Sequence, residues 1–304
     1  MKIAVLMSSY NGEKYIREQI DSVLNQRNVS VDLYVRDDGS SDGTNGILHE
    51  YEDRIQVYYG ENVGVGSSFM QLVYDVPGDY DYYAFSDQDD IWLSQKLQRA
   101  TERIEAEKET IPVLYTSNQI LVNEKGEETD IRYKHPPNTD YKQILCQNKL
   151  AGCTMVWNAS LQRLLQEENR RPSKELLCNR IHDVWVAMVA AVTGKIVYDL
   201  EGYIYYRQHE NNVVGVRNVC MWKQWMDKVK NPSLRNGRSI LCKEIYDCYK
   251  DRLLNFSMEN DLKCYGFYYQ SKELKKQLLQ DKSLLLYTGE SRAFFLFKVG
   301  IGWF

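Results

Sequence analysis

The segment FSDQDDIW, residues 85–92, places three acids and an amide between apolar flanks. Carboxylates repel one another and are costly to remove from water, so the cluster indicates a positive partner or a ligand that brings one. Asp87 and Asp89 stand one residue apart, a spacing at which two carboxylates can share a hard divalent ion with substrate phosphate oxygens. An EF-hand is excluded because Trp92 stands where its glycine is required. A helix N-cap would explain Asp90 alone, so the segment predicts a metal–diphosphate site.

A second acidic motif, VRDDGSSDGT, follows the second predicted strand. Much of it fits a strand-to-helix turn in which Gly39 turns the chain and Ser41 or Asp42 caps the next helix. One turn acid would suffice, whereas Asp37 and Asp38 are adjacent. Because acids at this position bind base or ribose in doubly wound nucleotide folds, the structural and nucleotide-binding interpretations both stay open.

Glycine motifs exclude two other nucleotide sites. NVGVGSSF, residues 62–69, has Phe69 in place of the third glycine of a dinucleotide fingerprint and follows the third strand rather than the first. No GxxxxGK[ST] sequence is present, so a P-loop is excluded.

Apolar runs alternate with helical patterns through the first half of the chain. The predicted strands are KIAVLMSS, VDLYVRDDG, IQVYYG and DYYAFSD, and the helices between them begin near Glu13, Ser41 and Ser67. This alternation predicts an α/β fold with a mostly parallel sheet covered on both faces. Ligands bind beyond the carboxyl ends of such strands, where the polar clusters lie. VLYTSNQILV, GCTMVWN, KIVYD and YIYYRQ indicate further strands, and helices dominate from about Cys220.

Composition is that of a globular protein, with 304 residues, 43% hydrophobic and 26% charged. A net charge of −4 argues against a nucleic-acid partner. The N-terminal apolar stretch is too short for a signal peptide, and no apolar run has transmembrane length. Seven cysteines without a CxxC pair predict free thiols in a reducing cytoplasm, which gives the expected localisation.

The motifs SSYNGEKYIREQIDSVLNQ, VRDDGSSDGT, ENVGVGSSF and FSDQDDIW, in this order, resemble family 2 glycosyltransferases with the GT-A fold. The resemblance covers roughly the first 215 residues. FSDQDDIW followed by KL, with a later YRQH, is most similar to the bacterial rhamnosyltransferase-type branch that acts on surface polysaccharides. It implies an inverting transfer from a nucleoside-diphosphate sugar, such as dTDP-rhamnose or a UDP-sugar, to a lipid-linked or other glycan acceptor.

The resemblance also implies roles for individual residues. Asp87 and Asp89, with His209, would hold Mg²⁺ or Mn²⁺ on the donor diphosphate, and Asp87 also belongs to the nucleotide site. Asp38 would contact the pyrimidine, with Asp37 as second choice. The loop residues Ser8, Tyr10 and Asn11 would frame the base.

The segment RIHDVWVAM begins a predicted helix where the family places an acidic pair that contains the catalytic base. Asp183 is therefore the candidate base, and His182 is the departure from the pattern. The alternative is that one of the two caps the helix. On the acceptor or diphosphate side, the expected residues are Gly152, Trp92, His182 and Arg207.

The sequence allows alternatives for the C-terminal tail and for the function. We expect a catalytic domain over residues 1–217 and a helical subdomain over 218–304, whose tail RAFFLFKVGIGWF either contacts the inner face of a membrane or packs on the subdomain. The competing functions are a nucleotidyltransferase, for which Lys14 would be the phosphate-loop cation, and a non-catalytic protein that binds sugar nucleotides.

Overall fold

The computed structural model describes residues 1–107, 110–123, 125–179, 181–208 and 235–304. Within these ranges nine strands form one sheet, and they are β1 (Lys2–Ser9), β2 (Ser30–Asp37), β3 (Gln56–Tyr59), β4 (Tyr82–Ser86), β5 (Ile91–Trp92), β6 (Val113–Val122), β7 (Glu128–Ile131), β8 (Val156–Asn158) and β9 (Lys195–Arg207).

Helices cover both faces of this sheet. They are α1 (Ile16–Leu24), α2 (Thr44–His49), α3 (Val65–Asp75), α4 (Lys96–Glu105), α5 (Tyr141–Cys146), α6 (Ala159–Gln166), α7 (Lys174–Asn179), α8 (His182–Thr193), α9 (Gly237–Tyr249), α10 (Phe256–Phe267), α11 (Lys272–Gln280), α12 (Lys282–Thr288) and α13 (Arg292–Gly300).

The sheet order is β3-β2-β1-β4-β8-β6-β9-β5, and β7 pairs with β6. Strands β1 to β4 are parallel to one another, as are β6 and β9. Strand β8 runs antiparallel between β4 and β6. The predicted α/β fold, with its parallel first half, is confirmed.

Two local predictions were wrong. GCTMVWN was expected to form a strand, but residues 152–154 form a single 3₁₀ turn and the strand comprises only Val156–Asn158. KIVYD and YIYYRQ were expected as separate strands, but both belong to β9, whose pairing with β6 shifts register near Asn118.

The segment between β4 and β5 shows that the sheet curls. In sheet order β5 lies four positions from β4, which would be about 19 Å in a flat sheet. The chain covers that gap from Ser86 to Ile91 in five steps, which span at most roughly 17 Å. The two halves of the sheet must therefore bend towards each other, and residues 87–90 bridge the concave side.

Alternation along β1 shows how one strand serves two cores. Ala4 and Leu6 point into the cluster that contains α3, α8 and the C-terminal helices. Ile3, Val5 and Met7 point to the opposite face, where they pack with α1 and α4. Strand β1 is thus buried on both faces, as expected for a central parallel strand.

Helices α9 to α13 pack onto the α/β part of the chain. Tyr249 of α9 lies 6.0 Å from the Trp185 ring of α8, and Tyr141 of α5 donates a 2.5 Å hydrogen bond to Asp261 of α10. These helices share one buried cluster with α3 and α8. The expected boundary near residue 217 lies outside the described residues.

No helix in the described part of the chain is both long and apolar enough to cross a bilayer. The six cysteines within those ranges have free thiols, as predicted.

Candidate active site

A cavity of about 900 Å³ opens at the carboxyl ends of β1, β2 and β4. Its walls come from the loops after these strands, from residues 148–153 and from the start of α8. Of the predicted residues, the cavity is lined by Ser8, Tyr10, Asn11, Asp38, Asp87, Asp89, Gly152, His182 and Asp183. The structure thus brings most of the predicted site together, although Asp37, Trp92 and Arg207 do not line the cavity.

The loops after β1 and β2 are joined by hydrogen bonds. The Asn11 backbone N–H donates to Ser40 Oγ at 2.9 Å, and Asn11 Oδ1 accepts from the Ser41 N–H at 2.9 Å. The Gln88 side chain forms two hydrogen bonds with the Tyr10 backbone. Its Oε1 accepts from the Tyr10 N–H at 2.9 Å, and its Nε2 donates to the Tyr10 carbonyl at 3.0 Å. A Cβ at Gly12 would lie 2.3 Å from Gln88 Oε1, so glycine is needed for this close approach.

Asp37 and Asp38 have different tasks. Asp37 closes the loop, because its carboxylate accepts from Ser9 Oγ at 3.0 Å, from the Ser40 N–H at 2.8 Å and from Ser40 Oγ at 2.6 Å. Asp38 lines the cavity and accepts 3.0 Å hydrogen bonds from the N–H groups of Val63 and Gly64. Both carboxylates therefore stabilise loops by hydrogen bonds, and Asp38 is the one that lines the cavity in which a base could bind.

Asp38 also forms a buried ion pair with Arg36, whose guanidinium donates to its carboxylate. The loop after β3, in which Gly64 has a φ of 84°, is held by the hydrogen bond from the Gly64 N–H to Asp38. The NVGVGSSF motif thus has a structural role. A Cβ at Gly66 would lie 2.6 Å from the Leu177 carbonyl oxygen, so this glycine lets α3 approach α7 closely.

The acids of FSDQDDIW lie at two depths. Asp87 and Asp89 line the cavity, whereas Asp90 is buried below them. One ligand atom each of Asp87, Asp90 and Cys153 lies within 4.8 Å of the others. Burial, followed by the charges of Asp89 and Asp183, raises the pKa of Asp87 to about 7.

Asp90 does not cap a helix, contrary to one interpretation of the sequence, because it directly precedes β5. Among the described residues, neither of its carboxylate oxygens meets a donor at normal hydrogen-bonding geometry. Burial, then the charges of Asp89 and Asp87, raises its pKa well above the usual range. Sequence reasoning missed Asp90 and Cys153 as members of the site, although the unbroken DQDD run was a signal for Asp90.

A buried lysine lies beneath these acids. The Lys96 side chain has no exposed surface, and its Nζ lies 3.4 Å from the centre of the Trp92 ring. Burial lowers the pKa of Lys96 to about 7, while the Cys153, Asp90 and Asp87 groups act in the opposite direction. The expected place of Trp92 on the acceptor or diphosphate side was therefore wrong, since its ring packs in the core against Lys96.

Helix α8 brings His182 and Asp183 to the cavity, and neither residue is its N-cap, which is Ile181. Asp183 Oδ1 accepts from the Val184 N–H at 2.6 Å, and Oδ2 accepts from Asn148 Nδ2 at 3.3 Å. Asp183 thus lies in the first turn, where the helix dipole favours a negative charge, with its carboxylate at the cavity wall.

His182 lies in an aromatic enclosure. Its ring stacks on Phe69 at 4.0 Å and meets the edge of Phe85 at 4.7 Å, and neither ring nitrogen has a hydrogen-bond partner among the described residues. Burial lowers the pKa of His182 to about 3, so the imidazole is neutral. A Cβ at Gly152 would lie 2.9 Å from His182 Nε2, so this glycine makes room for the imidazole.

The predicted residues Arg207 and His209 have different outcomes. Arg207 is buried, donates to Glu18 of α1 and lies 5.0 Å from the Tyr15 ring centre. Arg207 was expected on the acceptor or diphosphate side, but it contacts α1 and does not line the cavity. His209 lies outside the described residues.

The cavity also contains side chains that sequence reasoning did not assign. They are Tyr15, Gln88, Arg132, Asn148, Lys149 and Tyr206. Lys14, which the sequence offered only to the nucleotidyltransferase hypothesis, lines the cavity as well. Arg132 and Lys149 come from segments without a recognisable motif, so only the fold could reveal them.

The donor set fits a divalent cation. Carboxylates are the ligands that Mg²⁺ and Mn²⁺ prefer, and Asp87, Asp89 and Asp90 supply them within one short segment. Burial, and then crowding of negative charge, raises the pKa values of Asp87 and Asp90, and a bound divalent cation would favour the charged form of both groups. Of these three acids, Asp87 and Asp89 line the cavity.

Comparison with known proteins agrees with the architecture. Residues 4–165, more than half of the chain, match Glycosyl transferase family 2. The dTDP-rhamnosyl transferase RfbG of Shigella flexneri is 31% identical over 221 residues, which are 69% of this chain and 73% of RfbG. An uncharacterized glycosyltransferase of Nostoc sp. is 27% identical over 216 residues, which are 70% of this chain and 66% of that protein.

Among solved structures, S. aureus TarS in complex with UDP-GlcNAc is similar in fold. Its TM-score is 0.60 at 17% identity, and the match covers 95% of this chain and 78% of the TarS chain. These findings favour the transferase over the nucleotidyltransferase and the non-catalytic binding protein. The chain belongs to glycosyl transferase family 2, has the GT-A fold and is a glycosyltransferase.

Proposed function

We propose that the protein is an inverting, metal-dependent glycosyltransferase that moves a sugar from dTDP-rhamnose or a UDP-sugar to a glycan acceptor of a surface polysaccharide. One observation carries the proposal. In a member of this family, Asp38, the Asp87–Asp89 pair and Asp183 line the same cavity, which is large enough for a nucleotide sugar.

The donor nucleotide would lie over the loops after β1 and β2. Asp38 would accept a hydrogen bond from the pyrimidine, and Ser8, Tyr10 and Asn11 would frame the base. Hydrogen bonds between the two loops support this role, because they hold the floor of the cavity in place before a ligand arrives. The name of RfbG and the rhamnosyltransferase-type motifs favour dTDP-rhamnose as donor.

The acceptor would enter beside α8 and residues 148–153. Asp183 would take the proton from the acceptor hydroxyl, which then attacks the anomeric carbon while the nucleoside diphosphate leaves from the opposite face. The N–H of Val184 and the amide of Asn148 support this role, because their hydrogen bonds orient the carboxylate. Gly152, with neutral His182 behind it, would leave room for the acceptor sugar.

Asp87 and Asp89 would hold the divalent cation, with His209 as a further proposed ligand. When bound, the cation would neutralise charge on the departing diphosphate as a Lewis acid. We propose that the partner is a lipid-linked acceptor at the inner face of a membrane.

A donor panel tests the proposal. Purified protein is incubated with UDP-, dTDP- and GDP-sugars in Mn²⁺ or Mg²⁺, and release of the nucleoside diphosphate is measured. We expect slow hydrolysis of a dTDP- or UDP-sugar that stops when the metal is chelated. Calorimetry separates the alternative, because a non-catalytic protein would bind a donor without releasing nucleoside diphosphate. Hydrolysis that survives chelation would remove metal dependence from the proposal.

A further inference from the structure

Helix α13 presents an apolar face to solvent. Phe294, Phe297 and Ile301 are 37%, 52% and 46% exposed and follow one another at i, i+3 and i+7, so they form one stripe along the helix. The opposite side carries Phe295 and Val299, which are buried in the core. Ala293, Leu296 and Gly300 are exposed as well; of the two cationic residues of α13, Arg292 is exposed and Lys298 is buried. Single exposed apolar residues are ordinary, whereas a stripe on one helix marks an interaction surface.

The C-terminal segment that contains this stripe has a net positive charge. Residues 271–304 contain six cationic and three anionic residues, a net charge of +3 in a chain whose total is −4. Lys272, Lys275 and Lys276 share one face of α11 because they are spaced at i, i+3 and i+4. Lys275 Nζ donates a 3.2 Å hydrogen bond to the Gly300 carbonyl, which places this face beside the end of α13.

Two of the three acids are already paired within the protein. Asp281 accepts from Lys142, and Glu290 accepts from the buried Lys298. Glu273 of α11 is the third acid of this segment, and it is exposed. An apolar helix stripe flanked by lysines is the arrangement that binds the interface of an anionic bilayer.

The stripe is structurally connected to the acceptor side of the cavity. Gln147 Nε2 donates a 3.0 Å hydrogen bond to the Thr288 carbonyl at the end of α12. The chain then continues from Gln147 directly into residues 148–153, which form a cavity wall. A membrane that binds α13 would therefore contact a part of the protein that is linked, through Thr288 and Gln147, to the cavity wall where the acceptor would enter.

We propose that the α13 stripe, Phe294, Phe297 and Ile301, together with the α11 lysines, docks the protein on an anionic lipid surface. This inference deepens the proposed function and rests on it in one respect, that the acceptor is presented at a membrane. The stripe inserts its aromatic side chains among the lipid headgroups, and the lysines contact the phosphates.

Vesicle sedimentation tests the proposal without any nucleotide or acceptor. Full-length protein is mixed with phosphatidylcholine vesicles that contain or lack phosphatidylglycerol. We expect binding to the anionic vesicles that weakens as salt is added. The double variant Phe294→Ser/Phe297→Ser should bind on the order of tenfold more weakly, because it removes two aromatic side chains from the interface. Lys272→Gln/Lys276→Gln should lose the preference for phosphatidylglycerol.

Phe256→Ser is the matched control. Phe256 is 74% exposed and begins α10, whereas the core beneath α13 meets α10 through Tyr265, nine residues or about 14 Å of helix away. This variant should bind vesicles like the wild type. All variants replace exposed side chains, so thermal unfolding and donor hydrolysis in solution should be unchanged.

Three outcomes would overturn the proposal. The first is a wild-type protein that does not sediment with anionic vesicles, and the second is an unchanged affinity of the stripe variant. The third is a concentration-dependent dimer, seen by analytical ultracentrifugation, that the stripe variant abolishes, since the stripe would then bind a second copy. Donor hydrolysis is measured separately, so failure of membrane docking leaves the proposed activity untouched, and the reverse also holds.

Discussion

Replacement of Asp183 by Asn isolates the proposed base from its structural contacts. Asn keeps an oxygen that can accept from the Val184 N–H, but its amide group would face the donating Nδ2 of Asn148. One partly buried hydrogen bond of 3.3 Å is lost, which should lower the free energy of unfolding by about 1 kcal/mol. An amide cannot take a proton, so transfer should slow by roughly a hundredfold or more, equivalent to about 2.7 kcal/mol in the barrier.

Asn148→Ala provides a crossed control. Asn148 donates to Asp183 and also closes a turn, through 3.0 Å hydrogen bonds with the Leu150 N–H and carbonyl. Its removal should therefore cost more stability than Asp183→Asn, but less rate, because the carboxylate stays. Thermal unfolding and initial rates at saturating donor measure the two effects. Opposite rank orders in stability and rate are the expected result.

A normal transfer rate in Asp183→Asn would refute the assignment. The base would then have to be sought elsewhere, first at His182, whose neutral ring has nitrogens without described partners. His182→Ala should cost less rate than Asp183→Asn if the assignment is right. A rate that follows stability in all three variants would mean that Asp183 only supports the start of α8.

Three further perturbations test other parts of the structure. Asp89→Asn should abolish Mn²⁺-dependent donor binding in calorimetry, and undiminished affinity would remove the metal assignment. Asp38→Ala should lower the free energy of unfolding by about 3 kcal/mol, because it leaves buried Arg36 without its carboxylate; an unchanged denaturation midpoint would contradict this. Burial raises the pKa of Asp281, but hydrogen bonds from Lys142 and Tyr265 together outweigh it and lower that pKa. Stability should therefore fall as pH drops below about 4, and less so in Asp281→Asn, as measured by urea denaturation.

The sequence was sufficient for the elements that local pattern determines. The buried strands before Ser8, Asp37 and Asp87 were predicted from their apolar runs, and the three helices between them from their periodicity. Because parallel strands end at one edge of a sheet, the loops that follow them were expected to meet. Their predicted polar residues line one cavity.

Prediction failed where long-range pairing decides the position of a side chain. Trp92 follows the acidic segment directly and was expected to face the substrate. Strand β5 pairs with β9, however, and this pairing turns the Trp92 ring into the core. Arg207 ends β9 beside α1, where Glu18 binds it. Neither partner can be read from the local sequence.

Lys96 shows a different limit. Lysine is rarely buried, so a sequence pattern places it on the surface by default. Its aliphatic stem and ammonium group instead lie against Trp92, below the acids. Only the fold shows that the lysine of KL after FSDQDDIW lies inside the protein, below the acids.

This lysine explains how an acidic cluster can exist between apolar flanks. Lys96 acts on Asp87 and Asp90 from below, which offsets part of the cost of burying them. It supplies at most one positive charge, whereas Asp87, Asp89 and Asp90 carry three carboxyl groups and the charge of Asp183 also reaches Asp87. Of the three, Asp87 and Asp89 face the cavity. A divalent cation on the cavity side would neutralise the remaining charge of these carboxylates. At the same place it could also bind the phosphate oxygens of the donor diphosphate. The electrostatics of the protein alone thus supports the proposed metal, independently of the family resemblance.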